Sequence, residues 1–178
     1  MKSCAVFCGA KSGSNGVYTK AAAELGTILA QQEIRLIYGG GNKGIMGVLA
    51  SHVLKGGGQV IGITPKKLFF EHTDFQLTET RVVEHIHTRK QMMYEMADGA
   101  IVMPGGFGMM EEAMEFIAWT QLGFHNKPCV LLNIHGYFNW LIEQFDHMVS
   151  EGFLSREHRR VVQVAETSLL AVRGIYQI

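Results

Sequence analysis

The sequence predicts a single α/β domain: a doubly wound parallel sheet with helices on both faces. Short apolar runs alternate with longer segments of helical spacing along all 178 residues, the pattern of repeated βαβ units. The runs are continuously apolar rather than alternating, as expected of strands buried on both faces. Several of them end in glycine-rich loops, which places those loops at the carboxyl ends of the strands, where open α/β sheets bind ligands. No internal repeat, low-complexity tract or linker divides the chain, so the domain is expected to span residues 1–178.

Taken in order, residues 5–8 (AVFC) form the first strand, followed by a polar loop from Gly9 to Gly13. Residues 17–32 carry Ala, Leu and Ile at helical spacing, with Ser14 or Asn15 placed to cap the start. Residues 34–38 (IRLIY) form the second strand and run into Gly39, Gly40, Gly41, Asn42, Lys43 and Gly44. A helix over 45–55 ends at Gly56, and a third strand covers 59–64. Residues 65–80 lack periodicity and are expected to form a long loop or irregular helix over a site. Residues 81–87 look strand-like, Arg89 and Lys90 begin a helix through Ala97, and residues 100–103 form a buried strand. Further strands are expected at 127–133 and 161–164, with helices at 137–150 and 168–176.

The stretch GAIVMPGGFGMMEEAMEFIAWTQLG, residues 99–123, organises the rest. Its strand passes into Pro104, Gly105, Gly106 and Gly108, a turn that needs glycine backbone. Helical spacing follows, with Met110, Ala113, Met114, Ile117 and Ala118 on one side and Glu111 and Glu112 in the first turn. Strand, glycine turn and helix aim free N–H groups and a positive dipole end at an anion. An anion cradle beside two carboxylates fits a nucleoside monophosphate.

Composition narrows the partners. The formal net charge is +0 and no basic tract appears, which excludes a general field for nucleic acid or anionic membrane. No apolar run approaches the ~20 residues of a membrane span, and the start reads as a first strand rather than a secretory signal; cytoplasmic residence is the expectation. Cys4, Cys8 and Cys129 lie in apolar runs, and their odd number argues against a disulfide framework. There is no CxxC or HExxH, so neither a metal nor another cofactor is expected. His85 and His87 alternate along a strand-like run and are expected on one face as packing or solvent contacts.

Arg89 and Lys90 are the candidate cations for a phosphate. A cation at a helix start opposes the dipole, so its placement there points to function. Glu112, near Arg89, is expected to stay ionised at neutral pH, suited to stabilising a developing cation, holding ribose hydroxyls or orienting water. Cleavage of a glycosidic bond has such a cation-like state.

YGGGNKGIMG (residues 38–47), HTRK (87–90) and PGGFGMMEE (104–112) resemble the LOG ("Lonely Guy") family, whose members are cytokinin riboside 5′-monophosphate phosphoribohydrolases often labelled "possible lysine decarboxylase". VFCG (6–9), WTQLGFHNKP (119–128) and NIHGYFNWL (133–141) extend the resemblance over nearly the whole chain. It implies a Rossmann-like domain, usually a homodimer, that hydrolyses an N⁶-modified AMP to free base and ribose 5-phosphate. By position, it implies Arg89 and Glu112 as the catalytic pair. It also implies Glu71, Lys90, Gly105, Gly106, Phe107, Gly108, Met109, Met110 and Glu111 as substrate contacts. Gly39, Gly40, Gly41, Gly44, Met46 and Gly47 would form the other wall of the nucleotide pocket. The chain departs from the family pattern where Met109 and Ala118 replace threonines, and where Ala10 and Lys11 replace paired serines. The decarboxylase label would need a Schiff-base lysine; Lys90, beside Arg89 in the family's phosphate-handling position, does not suit that role. A non-catalytic carrier, like the related molybdenum-cofactor carriers, is the alternative. An NAD(P)-binding enzyme is disfavoured, because the first βα loop lacks GxGxxG.

Overall fold

A computed structural model describes residues 1–69 and 76–176. Seven parallel strands form one sheet: β1 (Ser3–Phe7), β2 (Arg35–Tyr38), β3 (Val60–Pro65), β4 (Glu79–Val83), β5 (Gly99–Val102), β6 (Cys129–Leu132) and β7 (Val162–Ala165). Their order is β4-β3-β2-β1-β5-β6-β7. The chain winds outward from β1 to one edge, then returns to β5 and winds to the other. β1 therefore pairs with both β2 (Cys4 with Leu36) and β5 (Ala5 with Ala100), and the switch point lies between β1 and β5.

All the strands except edge strand β4 send residues to two separate cores, one on each face of the sheet. Cys4 and Val6 pack with α1 (Val17–Gln31), α2 (Gly44–Lys55) and α8 (Ser168–Tyr176). Ala5 and Phe7 pack with α4 (Ile86–Met96), α5 (Phe107–Gln121) and α6 (Asn139–Ser150). Both strand faces are buried, which is why the runs read as continuously apolar. The short helices α3 (Lys66–Phe69) and α7 (Arg156–Arg159) and a 3₁₀ turn at Ile134–Gly136 complete the described elements. Asn15 Oδ1 accepts from the Val17 N–H at 3.1 Å, so Asn15 serves the start of α1 although Gly16 is the capping residue.

Several expectations need correction. The strand expected over 81–87 ends at Val83, because its neighbour β3 ends at Pro65, which pairs with Val83. His85 is then the extended residue before α4 and His87 lies in its first turn, so they share no strand face. Arg89 and Lys90 consequently sit in the second turn of α4, not at its start, and the dipole conflict disappears.

Likewise α5 begins at Phe107, which puts Glu111 and Glu112 beyond its first turn. Its buried stripe is Met109, Glu112, Ala113 and Phe116. Met110, Met114 and Ile117 pack at the edge of that core, and Ala118 is exposed. The stripe is shifted because it contains a carboxylate, which an apolar pattern passes over. Finally, the region 65–80 is partly regular: β3 includes Pro65, α3 follows, and β4 already begins at Glu79.

Candidate active site

The loops after β1 and β5 meet at the switch point. Gly9 joins them: its N–H donates to Pro104 O at 3.1 Å, and its carbonyl accepts from the Met46 N–H of α2 at 3.3 Å. A Cβ on Gly105 would stand 2.8 Å from Gly9 N and 2.7 Å from Met109 Cβ, so glycine is required for this approach. Between the loops lies a cavity of about 540 Å³. The start of α5 opens onto it with no side-chain cap. The Phe107, Gly108 and Met109 N–H groups precede the first intrahelical bond, made by Met110 N to Gly106 O, and so are available to an anion.

Arg89 reaches from α4 to Glu112 on α5, with Nη2 2.9 Å from Oε1; the side chains are 12% and 9% exposed. The guanidinium also lies against the glycine loop after β2, where a Cβ on Gly39 would overlap Nη2. Burial pushes the Glu112 carboxyl above its ordinary value, and the nearby Arg89 charge opposes this without cancelling it. Burial adds an upward push that the Arg89 charge alone does not convey. A raised carboxylate is a better proton acceptor when ionised.

Arg89, Glu112, Gly105, Gly106, Gly108, Met109 and Met46 line this cavity. Gly39 and Gly41 line an adjoining one, which Arg89 and Met46 also border. Gly40, Gly44, Gly47, Phe107, Met110, Glu111 and Lys90 line neither. Phe107 is 95% exposed. Glu71 lies outside the described residues. Lys90 is 2% exposed and bonded to Glu111, and it also pairs with Glu115 at 3.0 Å. Burial lowers its proton affinity, but the hydrogen bonds it donates to Glu111 and Glu115, with their negative charges, outweigh this and leave its pKa raised. Lys90 thus ties α4 to α5 behind the Arg89–Glu112 pair, helped by Tyr94 Oη donating to Glu115 at 2.9 Å. A buried protonated amine with two carboxylate partners is a poor imine nucleophile, which weighs against decarboxylase chemistry.

The sequence reading did not place Tyr18 and Tyr137 in the site. Both line the large cavity, their rings meet edge-on at 5.8 Å, and Tyr137 Oη donates to Gly105 O at 2.5 Å. Tyr137 falls within NIHGYFNWL, but no local pattern links it to Tyr18, 119 positions away in the chain (137 − 18). Lys11 also borders the cavity. Cys8 does too, but burial raises its thiol pKa far from the reactive range. Among the described residues no cluster of His, Cys, Asp and Glu could hold a metal.

A family model described as "possible lysine decarboxylase" matches residues 46–175. A probable cytokinin riboside 5′-monophosphate phosphoribohydrolase of Oryza sativa subsp. japonica is 43% identical over 164 residues, covering 92% of this chain and 71% of that protein. A cytokinin riboside 5′-monophosphate phosphoribohydrolase of Arabidopsis thaliana is 44% identical over 171 residues, 96% of this chain and 80% of that one. Among solved structures, the molybdenum cofactor carrier protein of Chlamydomonas reinhardtii superposes with TM-score 0.73 at 18% identity, covering 99% and 96% of the two chains. A structural-genomics target, TM1055, gives 0.74 at 23% identity over all of both chains. At these identities the structural matches establish a shared fold.

Proposed function

Since this chain belongs to the possible lysine decarboxylase family, among relatives that are cytokinin riboside 5′-monophosphate phosphoribohydrolases, we propose that it hydrolyses an N⁶-modified AMP to free base and ribose 5-phosphate. The observation that carries this is the Arg89–Glu112 pair, closed at 2.9 Å and facing the same cavity as the uncapped start of α5. The 5′-phosphate sits on the Phe107–Met109 amides, which need no threonine hydroxyl to bind an anion. The sugar lies against Glu112. As the C1′–N9 bond breaks, its electron pair leaves with the base and the carboxylate stabilises positive charge on the ribose. The oxygen of the attacking water bonds C1′, Glu112 takes its proton, and that proton passes to the departing base. Arg89 holds that carboxylate in place, and Tyr137 holds the glycine turn. Lys90, Glu111 and Met110 act through the α4–α5 contact, and Gly40, Gly44 and Gly47 through the shape of the second loop. Glu71 remains a proposed substrate contact.

A homodimer in the cytoplasm belongs to the same reading. Support for association comes from exposed apolar side chains, among them Leu122, Phe124, Trp140 and Phe153. Among the described residues no helix is long and apolar enough to cross a membrane. The molybdenum-cofactor neighbours share the fold, and the buried acid–base pair favours catalysis over carriage.

The test is chromatography of the products formed from N⁶-isopentenyl-AMP and from its unphosphorylated nucleoside. Base and ribose 5-phosphate are expected from the nucleotide, with kcat/KM for the nucleoside lower by at least about 10²-fold, because the phosphate contacts position the sugar. Equal rates on the two substrates contradict the phosphate-anchored reading.

A further inference from the structure

The adjoining cavity, about 410 Å³, shares Ala10, Met46, Leu68 and Arg89 with the larger one. Its own walls are Gly39, Gly41, Lys43 and Thr64. Thr64, next to last in β3, is 1% exposed, and its Oγ1 has no hydrogen-bond partner among the described residues. The same is true of Arg89 Nε, whose neighbour Nη2 is engaged with Glu112. Buried polar groups are almost always paired, and those left unpaired in a native structure call for an explanation. The two residues that carry them both line one cavity, whose other lining, apart from the exposed Lys43, is backbone and apolar side chain.

We infer that this cavity takes the N⁶ substituent of the base, and that the Thr64 hydroxyl, with Arg89 Nε, selects substituents bearing a hydroxyl over pure hydrocarbon ones. This rests on the nucleotide-hydrolysis reading above. Phosphate and sugar occupy the cavity that holds the α5 start and Glu112, so the base points past Arg89, which borders both spaces. Met46 and Leu68 suit a short hydrocarbon chain. An alcohol oxygen on that chain accepts from Arg89 Nε and shares a hydrogen bond with Thr64, whereas a methyl in its place leaves both buried groups unpaired.

The test compares two nucleotides of identical carbon skeleton, an N⁶-alkyl-AMP and its hydroxylated counterpart, with wild type and Thr64→Val. Valine keeps the volume and β-branching of threonine and suits a strand. Wild type is expected to favour the hydroxylated nucleotide by at least about tenfold in kcat/KM, since sites built around a hydrogen bond reject analogues lacking it. The ratio is expected to fall to within about twofold in Thr64→Val. A wild-type ratio near one, or a ratio unchanged by the substitution, overturns the inference. So does inhibition by inorganic phosphate that Thr64→Val relieves, which assigns the cavity to an anion instead.

Calorimetric titration of the same pair into Glu112→Gln, with and without Thr64→Val, reads the preference as a Kd ratio independent of turnover. A Thr64-dependent preference in binding, with no hydrolysis by wild type, keeps the subsite and removes the activity. No binding of either nucleotide removes both.

Discussion

Glu112→Gln is expected to lower kcat for base release by roughly 10³-fold or more. The side chain is nearly isosteric, so the 9% exposed position stays filled and the chain should still fold. What is lost is the charge. An amide cannot accept the proton of the attacking water, a contribution of roughly 10²–10⁴. Nor does it stabilise positive charge on the sugar, a term of roughly 10²–10³ for one preorganised group. The two losses overlap and do not simply multiply. KM is expected to change far less, because the anion site at the start of α5 is untouched. Steady-state kinetics, with a thermal melt to establish folding, checks this; a folded variant within tenfold of wild-type kcat would remove Glu112 from the chemistry.

Arg89→Ala is expected to act through Glu112. The guanidinium is what opposes the effect of burial on that carboxyl, so its removal drives the carboxyl further upward. The catalytically useful form is the ionised one, and activity falls as pH drops through the folded-state pKa. The acid limb of the pH–rate profile should therefore lie above the ordinary carboxylate range in wild type and move higher in Arg89→Ala. Near neutral pH, kcat/KM is expected to fall by about 10²–10³-fold, as for loss of an electrostatic contact in the transition state.

Stability follows the same sign. A carboxyl whose folded pKa is raised favours the fold at low pH and loses that contribution as pH rises through the folded value. Removing the partner of a buried ion pair costs roughly 3 kcal/mol where the remaining charge persists, so the thermal deficit of Arg89→Ala should be greatest above neutrality and shrink on acidification. Arg89→Lys, which restores a charge, should bring the acid limb back toward wild type. A limb at the same pH in all three proteins would show that the pair is not coupled.

The fold was readable because the inner strands are buried on both faces, so β1 to β3, β5 and β6 stand out as apolar runs. Edge strand β4 was harder. Its end is set by where β3 stops, at the Pro65–Val83 pair, which no local pattern records. That single boundary decided whether Arg89 and Lys90 stood at a helix start or one turn inside it. Arg89 and Glu112 were legible as residue types at motif positions, and the structure brings them to 2.9 Å. Lys90 looked like a second phosphate ligand because its partners Glu111 and Glu115 lie on another helix. The raised carboxyl of Glu112 likewise depends on burial, a tertiary quantity. The site contacts of Tyr137 and Thr64 are tertiary: one hydroxyl donates to a glycine carbonyl brought near by folding, and the other is buried without a hydrogen-bond partner.

The most direct measurement is a crystal structure of Glu112→Gln with an N⁶-modified AMP bound. The phosphate oxygens should lie within hydrogen-bond reach of the Phe107, Gly108 and Met109 N–H groups, with the C1′ face of the ribose turned toward the side chain at position 112. A nucleotide whose phosphate sits away from the start of α5, or whose sugar faces away from position 112 and Arg89, would contradict this arrangement.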